Sequence, residues 1–207
     1  MKKTMITAAA GTLLLISSSM VSAQSGPYTS IHFGMAIPDD TDTSWSGVPL
    51  ATVSADSGYA MTGALGYDFG GFRLESELGY QDNSIDTARV GGLSLPASGD
   101  MTIYSGLLNL YVDFRNESNI TPYITAGMGL AHVAMDSFDV AGIVSSTSKY
   151  TDTVMIGQVG GGLEMAVNEN LALDVRYRYM MTEEAHLGYL NSELSSHNVY
   201  AGLRFKF

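Results

Sequence analysis

The chain contains no cysteine, which removes disulfide bridges, thiolate metal sites and cysteine nucleophiles at once. Basic residues are scarce. Ten Lys and Arg stand against 21 Asp and Glu in 207 residues, for a formal net charge of -11. Nucleic acid is excluded as a partner, because its phosphates call for a basic surface. Long apolar runs are also missing. The longest lies at the N-terminus and ends near Ile16, short of the roughly 20 residues that a membrane-spanning helix needs. No phosphate-cradling glycine loop is present, and Asp39, Asp40 and Asp42 lack the spacing of a calcium loop, so no cofactor or metal is expected.

What is abundant points to strands. Gly 23 and Tyr 12 suit turns and extended segments better than helices. The N-terminus reads as an address. Lys2 and Lys3 precede a short apolar stretch, and Val21-Ser22-Ala23 offers small residues for cleavage before Gln24. Residues 1–23 are therefore expected to be a cleaved signal peptide, and residues 24–207 a single domain. Cleavage would remove two bases and no acid, leaving 8 bases against 21 acids, or -13.

Beyond Gln24 the dominant period is two. FRLESELGY puts Phe72, Leu74, Leu78 and Tyr80 on one face, opposite Arg73, Glu75, Glu77 and Gly79. The same alternation predicts strands at Thr29–Ile37, Tyr59–Phe69, Phe72–Tyr80, Ile103–Phe114, Tyr123–Val133, Met155–Val167, Leu171–Met180 and Asn198–Phe207. Eight strands of roughly 9–13 residues match the ~9–11 that a tilted strand needs to cross a bilayer. The connections alternate between short (Gly70-Gly71, Arg115–Pro122, Asn168–Asn170) and long (Pro38–Ser57, Gln81–Asp100, Ala134–Thr153, Met181–His197). An up-and-down antiparallel barrel puts the four long loops at one rim and the tight turns at the other.

Alternation alone does not say which face is outside. The polar face carries many small residues (Ala60, Ala64, Gly66, Gly160, Gly162, Gly202), which suit a crowded interior. The apolar face carries aromatics towards the strand ends, as an interfacial girdle requires. An apolar exterior and a polar lumen are therefore expected. That orientation turns inward Arg73, Arg176, Arg178, Arg204 and Lys206, against Glu75, Glu77, Asp113, Glu164 and Asp174: five cations and five anions. Eight strands leave room only for side chains, so this network reads as a paired plug rather than a selective pore.

NLYVDF at Asn109–Phe114, TPYITAGMGLAHV from Thr121, YRY at Tyr177–Tyr179 and the final GLRFKF resemble the eight-stranded outer-membrane β-barrel family. That family takes in opacity-type surface proteins, OmpX-like proteins and the OmpA transmembrane domain. The resemblance covers the whole chain after Gln24. It implies the outer membrane of a Gram-negative bacterium, contact with membrane lipid and lipopolysaccharide, and a monomer. It further implies that Phe207 is part of the signal read by barrel-insertion machinery. Function in such a family resides in the loops.

The four long loops carry thirteen acids: Asp39, Asp40, Asp42, Asp56, Asp82, Asp86, Asp100, Asp136, Asp139, Asp152, Glu183, Glu184 and Glu193. Arg89 and Lys149 are their only bases. Such a rim either steers basic host proteins or divalent cations towards the surface, or simply keeps it solvated. Trp45 and Tyr189 are candidate contact residues for an adhesive surface, or else pack where strands rise above the bilayer. The expected role is adhesion, host-surface interaction or envelope integrity, without catalysis. A small porin-like pore is the alternative, and an envelope enzyme acting on lipid A the third reading. For catalysis the one plausible set is Ser196-His197 with Glu183, Glu184 or Glu193, and adjacent strand residues point to opposite faces.

Overall fold

The structure is a computed structural model and describes residues 25–45, 48–90, 93–140, 144–146, 149–187 and 190–207. The proposed signal segment and Tyr189 lie outside these residues. Eleven strands are present among them: β1 (Gly26–Pro38), β2 (Thr41–Trp45), β3 (Val48–Ala55), β4 (Gly58–Asp68), β5 (Phe72–Val90), β6 (Leu93–Asp113), β7 (Ile120–Val140), β8 (Val144–Ser146), β9 (Tyr150–Ala166), β10 (Leu171–Leu187) and β11 (Leu190–Lys206). Eight of them close an antiparallel ring in the order β1-β4-β5-β6-β7-β9-β10-β11, with β11 returning to β1. A short turn joins β4 to β5 through Gly70, whose φ of 99° lies where a side chain would be strained.

The expected strands are all present, but most are too short in the sequence reading. The segments read as long loops are largely strand. β6 and β7 run for 21 residues each and β5 for 19. At ~3.3 Å per residue and a tilt near 40°, 21 residues rise roughly 50 Å, well beyond a hydrocarbon core of about 30 Å. The turns Gly70-Gly71, 114–119 and 167–170 share one end, so the extra length projects from the other. Between Pro38 and Gly58 the chain adds the hairpin β2–β3, which pairs with β11 on one side and β5 on the other and carries the wall upward.

A change of polarity along single strands explains the misreading. In the lower part of β5, Phe72, Leu74 and Leu78 face outward and Arg73, Glu75 and Glu77 are buried inside. Past Tyr80 the register continues through Asn83↔Met101 and Ile85↔Gly99, but the faces exchange character. Ser84 and Asp86 are now outside and exposed, while Asn83, Ile85 and Ala88 are buried. The upper interior is an apolar core of Ile85, Met101, Ile103, Leu107, Ala131, Val133, Met135, Val154, Ile156, Met180 and Ala185. The lower wall is therefore built for lipid outside and charge inside. The upper wall is built like a soluble barrel, with its oil inside and its charge in water.

Candidate functional site: an ionic lumen beneath an acidic extension

The lumen charges sit on strand positions whose side chains alternate inward. Glu77 of β5 is the centre of the upper network. Arg178 of β10 donates Nη1 to its Oε1 at 2.6 Å and Nη2 to its Oε2 at 2.9 Å, and Arg176 donates Nη2 to Oε2 at 3.1 Å. Two guanidiniums on one carboxylate leave a positive charge, which Glu75 balances through a hydroxyl. Tyr111 accepts from Arg176 and Arg178 and donates to Glu75 Oε1 at 2.8 Å, while Tyr28 donates to Oε2 at 3.0 Å. The four ions thus form a neutral, hydrogen-bonded unit, the condition under which charges persist in a dry interior.

A second layer lies nearer the tight turns. Arg73 pairs with Asp113 at 2.7 Å, and its guanidinium lies 4.5 Å and 4.9 Å from the ring centres of Tyr111 and Tyr123. Arg204 pairs with Glu164 and approaches Asp68 at 3.6 Å, while Lys206 reaches Glu164 at 3.9 Å. His32 Nε2 meets Asp174 Oδ1 at 3.0 Å, and Tyr123 donates to its Oδ2 at 2.7 Å. Gly162 makes room for this contact: a Cβ there would lie 2.5 Å from the Tyr123 oxygen. All ten lumen residues named from the sequence belong to this network or its lower edge.

Reading the sequence missed two classes of member. Asp68, absent from the expected lumen set, is buried in the lumen and accepts from Arg115 at 2.8 Å. This pair adds one charge of each sign and preserves the balance. The tyrosines Tyr28, Tyr111, Tyr123 and Tyr200 also point inward and are buried. Position parity was the available signal, since Tyr111 shares a face with Asp113. The cavity left among Ser30, His32, Glu75, Asp174 and Arg176 is about 10 Å³, the space of a single water centre.

The candidate surface residues are spread over the upper rim. Asp39 and Asp40 occupy the break between β1 and β2, Asp42 and Trp45 lie on β2, and Glu183 and Glu184 on β10. Asp39 accepts from Ser195 Oγ at 2.7 Å and lies 3.2 Å from His197 Nε2. The Tyr177 hydroxyl lies 2.5 Å from His197 Nδ1. Ser196 instead points inward and accepts from Asn198, so it diverges from His197. The carboxylate stands between Ser195 and the imidazole, and both ring nitrogens are engaged. Neither is placed to take a proton from a serine.

A closed eight-stranded wall, apolar outside and ionic within, defines a membrane-spanning barrel of the outer-membrane type. The family described as outer membrane protein beta-barrel domain matches residues 6–207, and the chain belongs to it. The chain is 32% identical over 158 residues to the outer membrane protein PagN of Salmonella typhimurium. That match covers 67% of this chain and 60% of the relative, so the chain spans about three fifths of that protein's length. Among solved structures it is similar to Neisserial surface protein A, with 23% identity and a TM-score of 0.59, covering 88% of this chain and 97% of that one. It is also similar to outer membrane protein OprG of Pseudomonas aeruginosa, with 19% identity and a TM-score of 0.60 over 91% and 99% of the two chains. The protein resides in the outer membrane of a Gram-negative bacterium.

Proposed function

We propose that this barrel is a surface-interaction protein: it presents a rigid acidic extension that binds basic regions of host or other external surfaces, and it carries out no catalysis. One observation carries this reading. The thirteen acids and two bases outside the membrane section give that part a net charge of -11, with ten of the acids on strands rather than in connections. A field of one sign on an ordered scaffold steers oppositely charged partners and holds its contact residues in fixed register. The sealed interior supports binding over transport, because ions fill the lower lumen and an apolar core fills the upper one.

Display on a non-adherent Gram-negative host tests the reading. Cells carrying the full barrel should adhere to epithelial monolayers more than cells carrying a barrel trimmed to its membrane section, and added salt should weaken the difference. Equal adhesion by the two would overturn it.

A further inference from the structure

The extension of the wall is not continuous all the way round. β9 and β10 share a ladder from Ala172↔Ala166 up to Thr182↔Ile156, and among the described residues it stops there. Both strands go on. β9 continues beside β7 to Met135↔Tyr150, and β10 continues beside β11 to Leu187↔Leu190. The cause is local: β10 is irregular between Met181 and Glu184, where its pairing with β11 shifts register. The Thr182 hydroxyl fills the shift, accepting from Leu194 N at 3.1 Å and donating to Leu194 O at 3.4 Å. A bulge of this kind bends and twists its strand, and the β9 ladder ends at this same point.

Three features describe what fits the resulting seam. On the β9 side, the Thr153 amide donates to the Asp152 carboxylate at 2.7 Å, a local bond to its own neighbour in place of a strand. Beneath the seam lie the buried apolar side chains Val154, Ile156, Met180 and Ala185. On the outer side of β10, Glu184 stands directly opposite Glu193, both exposed, with Glu183 beside them. Like charges directly across a ladder repel, and no described cation pairs with these three acids.

We infer that the β9–β10 seam of the extension receives an extended polypeptide strand whose side chains alternate between apolar and basic. Main-chain hydrogen bonds to the strand edge supply the attachment, as in other strand additions. The apolar side chains face Val154, Met180 and Ala185, and the basic ones relieve Glu183, Glu184 and Glu193. This inference rests on the surface-binding reading and adds the partner's conformation and sequence pattern.

The test uses the full chain refolded in lipid nanodiscs and a fluorescent ten-residue peptide alternating valine and lysine. Two controls share its composition: one has the five lysines and five valines in separate blocks, the other carries N-methyl groups on alternate amides. The alternating peptide should bind at least tenfold tighter than either control, with slowed amide exchange at Thr153 and Glu183–Ala185. The double variant Glu184→Gln, Glu193→Gln, checked for heat-modifiable gel mobility, should lose fivefold or more in affinity. Equal binding of the three peptides, or binding without slowed exchange at the seam, would overturn strand addition. If the peptide fails to bind while displayed cells still adhere, strand addition falls and the surface-binding reading stands. If adhesion fails as well, both fall.

Discussion

Arg178 and Glu77 face each other across the lumen from β10 and β5, 101 residues apart in sequence, in a two-pronged contact with no exposed guanidinium surface. Arg176 shares the same carboxylate. Because one anion serves two cations, its loss is more serious than the loss of either arginine. Glu77→Gln should destabilise the barrel by about 3–5 kcal/mol, the range for breaking a buried pair from one side. Arg178→Met should do less harm, since Arg176 still holds Glu77. Urea midpoints of refolded protein in micelles give the ranking, and the reverse order would contradict this account of the network.

Conductance is the second expectation. Proteoliposomes and planar bilayers should show no stable channel. The double variant Glu77→Ala, Arg178→Ala should remain closed too, because Ile103, Val133, Ile156 and Met180 form an apolar layer above the ions. Large reproducible openings in the unaltered protein would refute the sealed lumen.

The extension has a core of its own, so it should fail separately from the membrane section. Val133 is completely buried within that core. Val133→Asp places an unpaired carboxylate there, at a penalty of several kcal/mol. Trypsin or proteinase K added to intact cells should then cut the upper hairpins while a membrane-protected barrel survives. Uniform degradation, or none, would show that the two halves do not have separate cores.

For the surface, replacing Trp45 and Tyr189 together with serine should lower adhesion severalfold and leave heat-modifiable gel mobility unchanged. Unchanged adhesion assigns both side chains to packing.

The lower barrel was legible in the sequence because each strand there obeys one rule. In FRLESELGY the faces sort with the single exception of Ser76 on the outer side, and the lipid-facing set follows from the aromatic ends. The upper strands obey the opposite rule, and register shifts in β5, β6 and β10 interrupt its period. QDNSIDTARV after Tyr80 therefore looks like a polar loop to a search for outward-facing apolar residues, although Asn83 and Ile85 are buried in register and Ala88 is buried beyond a shift in the ladder. The pairing of Arg178 with Glu77 rather than Glu75 was beyond reach for another reason. Parity assigns a side chain to a face, but only the stagger between distant strands assigns its height. The Thr182–Glu183 irregularity is likewise a product of β11 pairing, with no glycine to mark it.

The exchange of faces between Tyr80 and Asp82 also fixes how deep the molecule sits. Tyr80 belongs to the lipid-facing set and donates from its hydroxyl to Asp82, the first acid above it. Sinking the barrel by two residues would drag Asp82 into hydrocarbon, and raising it by two would lift the Tyr80 ring and its neighbour Tyr104 into water. β5 thus works as a depth gauge with its mark at the outer interface. Slippage along the membrane normal is resisted in both directions, and whatever docks on the acidic extension meets it at a constant height above the lipid.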